Sequence, residues 1–401
     1  MKHKISVLFI DQGVAFGGSL VVIANLVRCL NPDRFRAVVV AEMAEKIVRS
    51  HIRGKAKVII ARHNFNYVHW QKIVNALQFL PGKFLKKTGI YVFSVIRMLT
   101  NILYALKIAL VVIRERVDLI HINNGTDNFE ANLASLLFSR KRIVHMHGIG
   151  KLSAVERLYL RFVPKVIVIS EFVRSKMIES GVAAHKMIVI PNPVLPEVVA
   201  SDTRERVRKR LGIGDDVKLF GIFGRIVEWK GQKEFLQAAQ LVLHEVNHSK
   251  ALIVGDISDG EESYLHDLHQ FLLQTGLQDR VIFTGYARNV AELYSAVDVV
   301  VHTSIEPEPF GLVITEAMAY GVPVVASSLG APREIIDDTH DGYLVHPKDT
   351  RKLASIISTL LQNDGLRKEM GARAKKKVLE TYDATKYARN IECLYRQVLD
   401  S

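Results

Sequence analysis

Residues 298–327 read DVVVHTSIEPEPFGLVITEAMAYGVPVVAS, and this stretch decides the fold. It opens on a β-branched run, 298–304, of the kind buried on both faces of a parallel sheet. A loop of Glu and Pro follows, then a helical stretch over 311–320 that Gly321 closes. Pro323 begins the next strand, 323–327. The loop therefore belongs at the carboxyl edge of a parallel sheet, where open α/β folds bind ligands. Glu308 and Glu316 have seven residues between them, which include a Pro-Phe-Gly turn. The backbone amides of Phe310, Gly311 and Leu312 open the helix and suit an oxyanion such as a diphosphate. Glu308 can reach hydroxyls on a sugar beyond that diphosphate. Glu316 can accept both hydroxyls of a ribose, at roughly 1.5–3 kcal/mol for each bond to a charged group.

Working outward, the same βα layout repeats. Strand candidates before it are 218–224, 251–256 and 280–285, and 342–346 comes after. Helical stretches at 231–246, 262–275, 289–296, 332–337 and 351–361 separate them. A first series lies nearer the start: strands at 5–10, 37–41, 57–61, 118–122, 142–147, 165–170 and 187–192, with helices such as 18–30, 103–116, 127–138 and 171–180. Two βα arrays in 401 residues predict two doubly wound α/β domains. The boundary falls near 192–203, where NPVLPEVVASDT has two prolines and no periodicity. The expected domains are 1–195 and 196–383. An amphipathic tail helix over 384–401 either caps the second domain or crosses back to the first.

Strand ends supply the other candidate site residues. Gly224 and Arg225 end strand 218–224, and Lys230 with Gly231 opens the next helix. Arg225 offers a planar fork and Lys230 a point charge, and both could converge on one diphosphate. Gly17 and Gly18 follow the first strand and allow close backbone approach to phosphate. Gly255, Gly285 and Tyr286 end two further strands, the last two placed for a nucleobase. His147 ends strand 142–147 and can hydrogen-bond a hydroxyl. His121, Asn123 and Asn124 end strand 118–122 and are candidates for an acceptor side. His145 and His147 form an H-x-H pair without a third ligand at suitable spacing, so no metal site is expected.

These segments resemble glycosyltransferase family 4. The resemblance rests on Glu308…Glu316 within EPEPFGLVITEAMAYGVPVVAS, on GRIVEWKG, on the GGS turn at 17–19 and on the HG at 147–148. VIVISEFVRSKMIESGV with KMIVIPNPV adds to it, although Asn192-Pro193 stands where Asn-Gly is commoner in the family. The resemblance implies the GT-B fold, two Rossmann-like domains facing a central cleft, with donor in the second and acceptor in the first. It implies retaining, metal-independent glycosyl transfer from a nucleotide-sugar, with no cofactor. It matches Arg225 and Lys230 to the diphosphate pair and Glu308 to the carboxylate near the donor sugar. Glu316 matches the ribose ligand, and His147 the histidine near the reacting sugar.

Charge is distributed unevenly. The net charge is +13, but residues 1–200 hold 29 Lys and Arg against 12 Asp and Glu. Stretch 46–114 has 13 basic residues and no acidic one. Such a field favours a polyanionic partner, here an anionic membrane surface or acceptor. Nucleic acid lacks a recognition motif to support it. Segment 89–113 approaches membrane-span length, but Ser94, Arg97, Thr100, Asn101, Tyr104 and Lys107 share one polar stripe on it. The expectation is membrane contact over 81–97 and a core helix over 103–116. The opening MKHKISVLFIDQG has too short an apolar run for a secretory signal. Cys29 and Cys393 alone exclude a disulfide scaffold and fit a reducing compartment. The resulting expectation is a cytoplasmic enzyme, peripheral on the inner membrane, that serves surface-polysaccharide or lipopolysaccharide biosynthesis through a lipid-linked acceptor. Alternatives are a nucleotide-sugar hydrolase or epimerase on this fold, and a non-catalytic membrane-surface protein.

Overall fold

A computed structural model describes residues 4–11, 17–42, 45–52, 54–61, 76, 83–123, 129–138, 140–150, 152–258 and 260–401. The chain forms two compact units. The first comprises Met1–Ile169, Val173–Ile190 and Ala384–Ser401; the second comprises Ser170–Phe172 and Pro191–Asp383.

The first unit is built on a parallel sheet of β1 (Ile5–Asp11), β2 (Phe35–Ala41), β3 (Lys57–Ile60), β4 (Leu119–Asn123), β5 (Lys141–Met146), β6 (Lys165–Val168) and β7 (Met187–Val189). Its order is β3-β2-β1-β4-β5-β6-β7. Strand order reverses between β1 and β4, and a crevice opens beyond the carboxyl ends of strands at such a point. The strands read as continuous apolar runs because helices cover both faces. Val7, Leu8, Phe9 and Ile10 are accordingly all buried.

Helix α1 (Gly18–Cys29) follows β1, and α2 (Glu45–Ile52) follows β2. Helix α3 (Lys83–Arg114) leads into β4 and is longer than the stretch expected. Its later turns bury Tyr104, Ala105, Ile108, Ala109 and Val112, which agrees with a core helix over 103–116. The opposite face corrects that expectation: Leu103, Leu106, Leu110 and Ile113 are exposed. The polar stripe needs correcting as well. Tyr104 is buried and donates to the Ala61 carbonyl at 3.1 Å, whereas Lys107 is exposed. Residues 62–75 and 77–82 lie outside the described residues, as do most side chains of 83–98, so contact over 81–97 falls there too. Among the described residues no helix is long and apolar enough to cross a membrane.

The unit continues through α4 (Phe129–Leu137), α5 (Ala154–Arg161) and, from Val173 on, α6 (Glu171–Glu179). Its last element comes from the far end of the chain, Ala384–Asp400. Glu392 there accepts the Asn31 N–H at 2.7 Å, and Tyr395 packs its ring 6.0 Å from Phe35. Period-3.6 spacing of Tyr387, Ile391, Leu394, Tyr395 and Val398 gives this helix one buried face.

The second unit carries β8 (Lys218–Phe223), β9 (Ser249–Val254), β10 (Val281–Gly285), β11 (Val299–His302), β12 (Val324–Ser327) and β13 (Tyr343–Val345). The order β10-β9-β8-β11-β12-β13 is parallel throughout and reverses between β8 and β11. Its helices are α7 (Thr203–Arg210), α8 (Gln232–Glu245), α9 (Glu262–Thr275), α10 (Val290–Ala296), α11 (Leu312–Ala319), α12 (Pro332–Ile335), α13 (Thr350–Gln362) and α14 (Asp364–Thr381). The core on one face joins Phe220, Phe235, Leu236, Ile253 and Leu360, all nearly inaccessible. Each such side chain contributes about 1.5–3 kcal/mol of burial. The terminal helix Ala384–Asp400 becomes α15 in chain order.

Candidate functional site

In the second unit, the segments after β8 and β11 meet at the point where strand order reverses. After β8 the chain passes Gly224 and Arg225, makes a single tight turn over Glu228–Lys230, and enters α8. Gly231 caps that helix with φ 73°, and a β-carbon there would lie 2.1 Å from the Thr303 carbonyl oxygen. Only glycine permits both the left-handed backbone and the close approach. Thr303 Oγ1 in turn donates to the Gly231 carbonyl at 2.8 Å. The two loops are thereby locked together, with Lys230 and Glu308 on either side.

Lys230 Nζ lies 2.6 Å from Glu308 Oε2 and 4.0 Å from the centre of the Trp229 ring. Ser304 Oγ donates to the same Glu308 oxygen at 2.9 Å, and His302 Nε2 stands 3.1 Å from it. Burial opposes ionisation of Glu308, but Lys230 and His302 outweigh it and hold the carboxyl well below the usual carboxylate range. The backbone of Glu308 is fixed by bonds from its N–H to Leu329 and from the Ala331 N–H to its carbonyl.

Gly311 is the N-cap of α11, with φ 103°. The amides of Ile314 and Thr315 turn back on its carbonyl. Those of Leu312 and Val313 precede the helix's own ladder and have no acceptor within it. The Phe310 side chain is buried edge-on against Tyr382, so its backbone is what this turn offers a ligand. At the other end of α11, Gly321 N–H bonds Met318 and Val322 N–H bonds Ala317, a Schellman close where the sequence expects one.

Glu316 projects from α11 to Tyr294, whose hydroxyl donates to it at 2.9 Å. Burial pushes the Glu316 carboxyl up to about 7, and the Tyr294 bond opposes this only in part. Tyr294 itself stacks on Phe223 with ring centres 4.4 Å apart. In its ionised form this carboxylate can accept two hydroxyl hydrogen bonds.

The remaining candidates of this unit are more loosely gathered. Arg225 is exposed and reaches Ser258 Oγ at 3.5 Å, while Lys230 engages Glu308. Gly255 N–H donates to the Gly285 carbonyl at 3.1 Å, which ties the ends of β9 and β10 together. Tyr286, next to it, is half exposed.

In the first unit, Asp11 ends β1, Asn123 ends β4 directly opposite it, and His147 follows β5. Asn123 Nδ2 donates to Asp11 Oδ2 at 3.2 Å and to the Ser19 carbonyl at 3.3 Å. Asn123 Oδ1 lies 2.8 Å from His147 Nε2. Burial lowers His147 to about 3, so its ring is neutral at physiological pH. Gly17 is the N-cap of α1 and Gly18 its first residue, beside the same strand ends.

His121 corrects its expected place on an acceptor surface. It is fully buried, with Nδ1 at 2.6 Å from the Tyr395 hydroxyl and Nε2 at 3.2 Å from His145 Nδ1. Two residues short of the strand end, it faces the core under α15. Asn123 is buried too and holds its neighbours. Asn124 lies outside the described residues.

Comparison with known proteins bears on both units. Residues 203–377 match the model described as "Glycosyl transferases group 1", and residues 16–198 match "Glycosyltransferase Family 4". The Anabaena protein HepE, solved with UDP and glucose, is 26% identical with a TM-score of 0.80, over 98% of this chain and 100% of that one. This chain resembles glycosyltransferase family 4 and has the GT-B fold. Among curated relatives, N-acetyl-alpha-D-glucosaminyl L-malate synthase of Bacillus anthracis is 34% identical over 48% of this chain and 49% of its own. The capsular polysaccharide biosynthesis glycosyltransferase CapM of Staphylococcus aureus is 24% identical over 61% and 64%. The chain thus spans about half the length of the first of these curated relatives and somewhat under two thirds of the second.

Against the family resemblance, four structural partners escaped sequence reading: His302, Ser304, Tyr294 and Asp11. The first two had a signal. They stand two residues apart within the expected strand 298–304, and alternation along such a strand puts both on one side. Tyr294 and Asp11 had none, because their partners lie 22 and 112 residues away.

Proposed function

We propose that this chain transfers a glycosyl group from a nucleoside-diphosphate sugar to a hydroxyl acceptor, with retention at the anomeric carbon and without a metal ion. The observation that carries this reading is the Lys230–Glu308 ion pair where the second sheet reverses order, with Glu316 held by Tyr294 on the helix that follows. The HepE structure with UDP and glucose supports a nucleotide-sugar donor for a chain of this fold.

Glu316 takes the ribose hydroxyls and Glu308 the donor sugar. Lys230, Arg225 and the first-turn amides of α11 stabilise the diphosphate. As the anomeric C–O bond breaks, its electron pair goes to the leaving diphosphate oxygen, and these groups meet the charge that develops there. The acceptor oxygen bonds the anomeric carbon from the face the diphosphate leaves, and its proton passes to a diphosphate oxygen. Lys230 starts paired with Glu308, so its charge is shared between the carboxylate and the arriving phosphate. His147 binds a hydroxyl in the first unit. The donor sugar is a hexose, in keeping with the glucose named for the HepE structure.

The acceptor we assign is a lipid-linked glycan at an anionic cytosolic membrane surface. Stretch 46–114, with 13 basic and no acidic residues, and the exposed Leu103, Leu106, Leu110 and Ile113 support it. Each cation near such a surface contributes about 1 kcal/mol at best. The capsular polysaccharide relative supports a surface glycan as the product class.

The test is calorimetric titration of UDP, GDP, ADP and their sugars in chelator, on wild type and Glu316→Ala. Micromolar binding of one nucleotide that weakens in the variant is the expected result. Well-folded protein that binds none sinks the donor site. Release of free sugar without acceptor identifies a hydrolase instead. Sedimentation with phosphatidylglycerol vesicles at low and high salt tests the membrane assignment, which fails if neutral vesicles bind equally.

A further inference from the structure

The row Asp11, Asn123, His147 crosses the first sheet at its reversal point and contains more information than contact alone. Asp11 and Asn123 are register partners on β1 and β4, and Asn123 pairs across β4–β5 with His145, two residues before His147. The side chains at three adjacent strand ends are therefore brought within hydrogen-bond reach by the sheet itself.

Their chemistry places the protons of Asn123 and His147. A peptide carbonyl is an acceptor only. The Asn123 amide atom between Asp11 Oδ2 and the Ser19 carbonyl must therefore be its nitrogen, at 3.2 and 3.3 Å. That choice turns its oxygen, Oδ1, toward His147 Nε2 at 2.8 Å. An amide oxygen also only accepts, so Nε2 carries a hydrogen. A neutral imidazole has one N–H, which leaves the other nitrogen bare.

We propose that Asn123, oriented by Asp11 and the Ser19 carbonyl, is a positioning residue that fixes His147 as its Nε2–H tautomer and leaves Nδ1 as a hydrogen-bond acceptor. Burial keeps the ring neutral, in line with this assignment. The consequence for chemistry rests on the proposed function. If His147 meets a hydroxyl through Nδ1, that hydroxyl must donate. A substrate with the hydroxyl replaced by fluorine, which cannot donate, is then used poorly, even though fluorine is similar in size.

The experiment uses the full chain labelled with 15N-histidine. Long-range 1H–15N spectra at pH 7.5 report which nitrogen of each ring is protonated, and His147→Gln assigns the signal. Wild type is expected to show His147 protonated at Nε2 only, with a proton that exchanges slowly. In Asn123→Ala that proton exchanges fast and an Nδ1–H population appears; in Asp11→Asn the same change is smaller, because Ser19 still holds the amide. A wild-type ring protonated at Nδ1 overturns the proposal, and this reading needs no variant to fold. So does an Asn123→Ala spectrum unchanged from wild type.

Turnover separates the positioning from the function. Asn123→Ala is expected to lower kcat about tenfold, the worth of one hydrogen bond, with donor KM unchanged. Spectra that change as expected with turnover unaffected uphold the positioning and remove His147 from the reaction.

Discussion

Lys230 and Glu308 form an ion pair with 2.6 Å between Nζ and Oε2, and both side chains are more than four-fifths buried. The pair joins the loops after β8 and β11, so it serves stability as well as ligand binding. Removing Lys230 strands a carboxylate that, among the described residues, only Ser304 and His302 still address. Lys230→Ala is expected to destabilise the second unit by about 3 kcal/mol. Adding Glu308→Gln removes the stranded charge and recovers part of that loss. Urea denaturation of the single and double variants checks this; additive losses refute the coupling. The sign of the acid response follows from the depressed Glu308 pKa. Its stabilisation is present above the ordinary carboxylate range and is lost as pH falls through the folded value, so Lys230→Ala moves acid unfolding to higher pH.

Glu316 carries the opposite shift. Its carboxyl is raised to about 7, so it is protonated in the free protein at pH 6 and ionised at pH 8. Only the carboxylate accepts from both ribose hydroxyls. An intact nucleotide-sugar, whose diphosphate does not titrate in this range, is expected to bind up to about tenfold more tightly at pH 8 than at pH 6. Glu316→Gln flattens the profile. The stability linkage has its own sign. The folded state holds an extra proton between the ordinary glutamate pKa and about 7, so this contribution is full below that window and is lost as pH rises through it. Calorimetry across pH decides, and equal affinity at both ends removes Glu316 from the ribose.

The strands and the carboxylate motif were legible in the sequence because parallel strands buried on both faces leave unbroken β-branched runs. Gly321 and Pro323 punctuate α11 in the way local rules require. What stayed hidden was set by distance along the chain. Nothing near His121 signals that Tyr395, 274 residues later, seals it into the core. Helix α7, TRERVRKR, lacks an apolar period because one of its arginines, Arg208, is itself a buried residue that bonds the Ala296 and Gly214 carbonyls. The exposed leucines of α3 misled for a related reason. Hydropathy marks both faces of that helix as apolar and does not say which one the sheet covers.

Two glycines of the second site separate crowding from backbone strain. Gly231 and Gly285 have similar left-handed φ, 73° and 66°. A β-carbon on Gly231 strikes the Thr303 carbonyl at 2.1 Å, whereas one on Gly285 meets nothing within 4 Å. Gly285→Ala is expected to cost about 1 kcal/mol, the conformational penalty. Gly231→Ala must also part the two loops that place Lys230 and Glu308, so it costs several-fold more and abolishes donor binding. Thermal unfolding and nucleotide titration of both variants check this. Equal losses show that the loops yield easily and that their lock does not place the pair.

The last prediction concerns the returning helix. The Tyr395 hydroxyl is 2.6 Å from His121 Nδ1, and the two rings meet edge-on with centres 5.8 Å apart. Burial first, and then the neighbouring His147, lowers His121 to about 3, so it is neutral and needs a partner of matching polarity for each nitrogen. Tyr395→Phe keeps the ring and leaves Nδ1 unsatisfied, at about 1–3 kcal/mol. Tyr395→Ala also opens a cavity against Phe35 and costs about 3–5 kcal/mol. Both losses are expected in the first unit, read as faster amide exchange in β1, β4 and β5 with the strands of the second unit unchanged. Protection lost equally from both sheets contradicts the assignment of α15 to the first unit. Tyr395→Phe as stable as wild type shows that His121 does not depend on the hydroxyl.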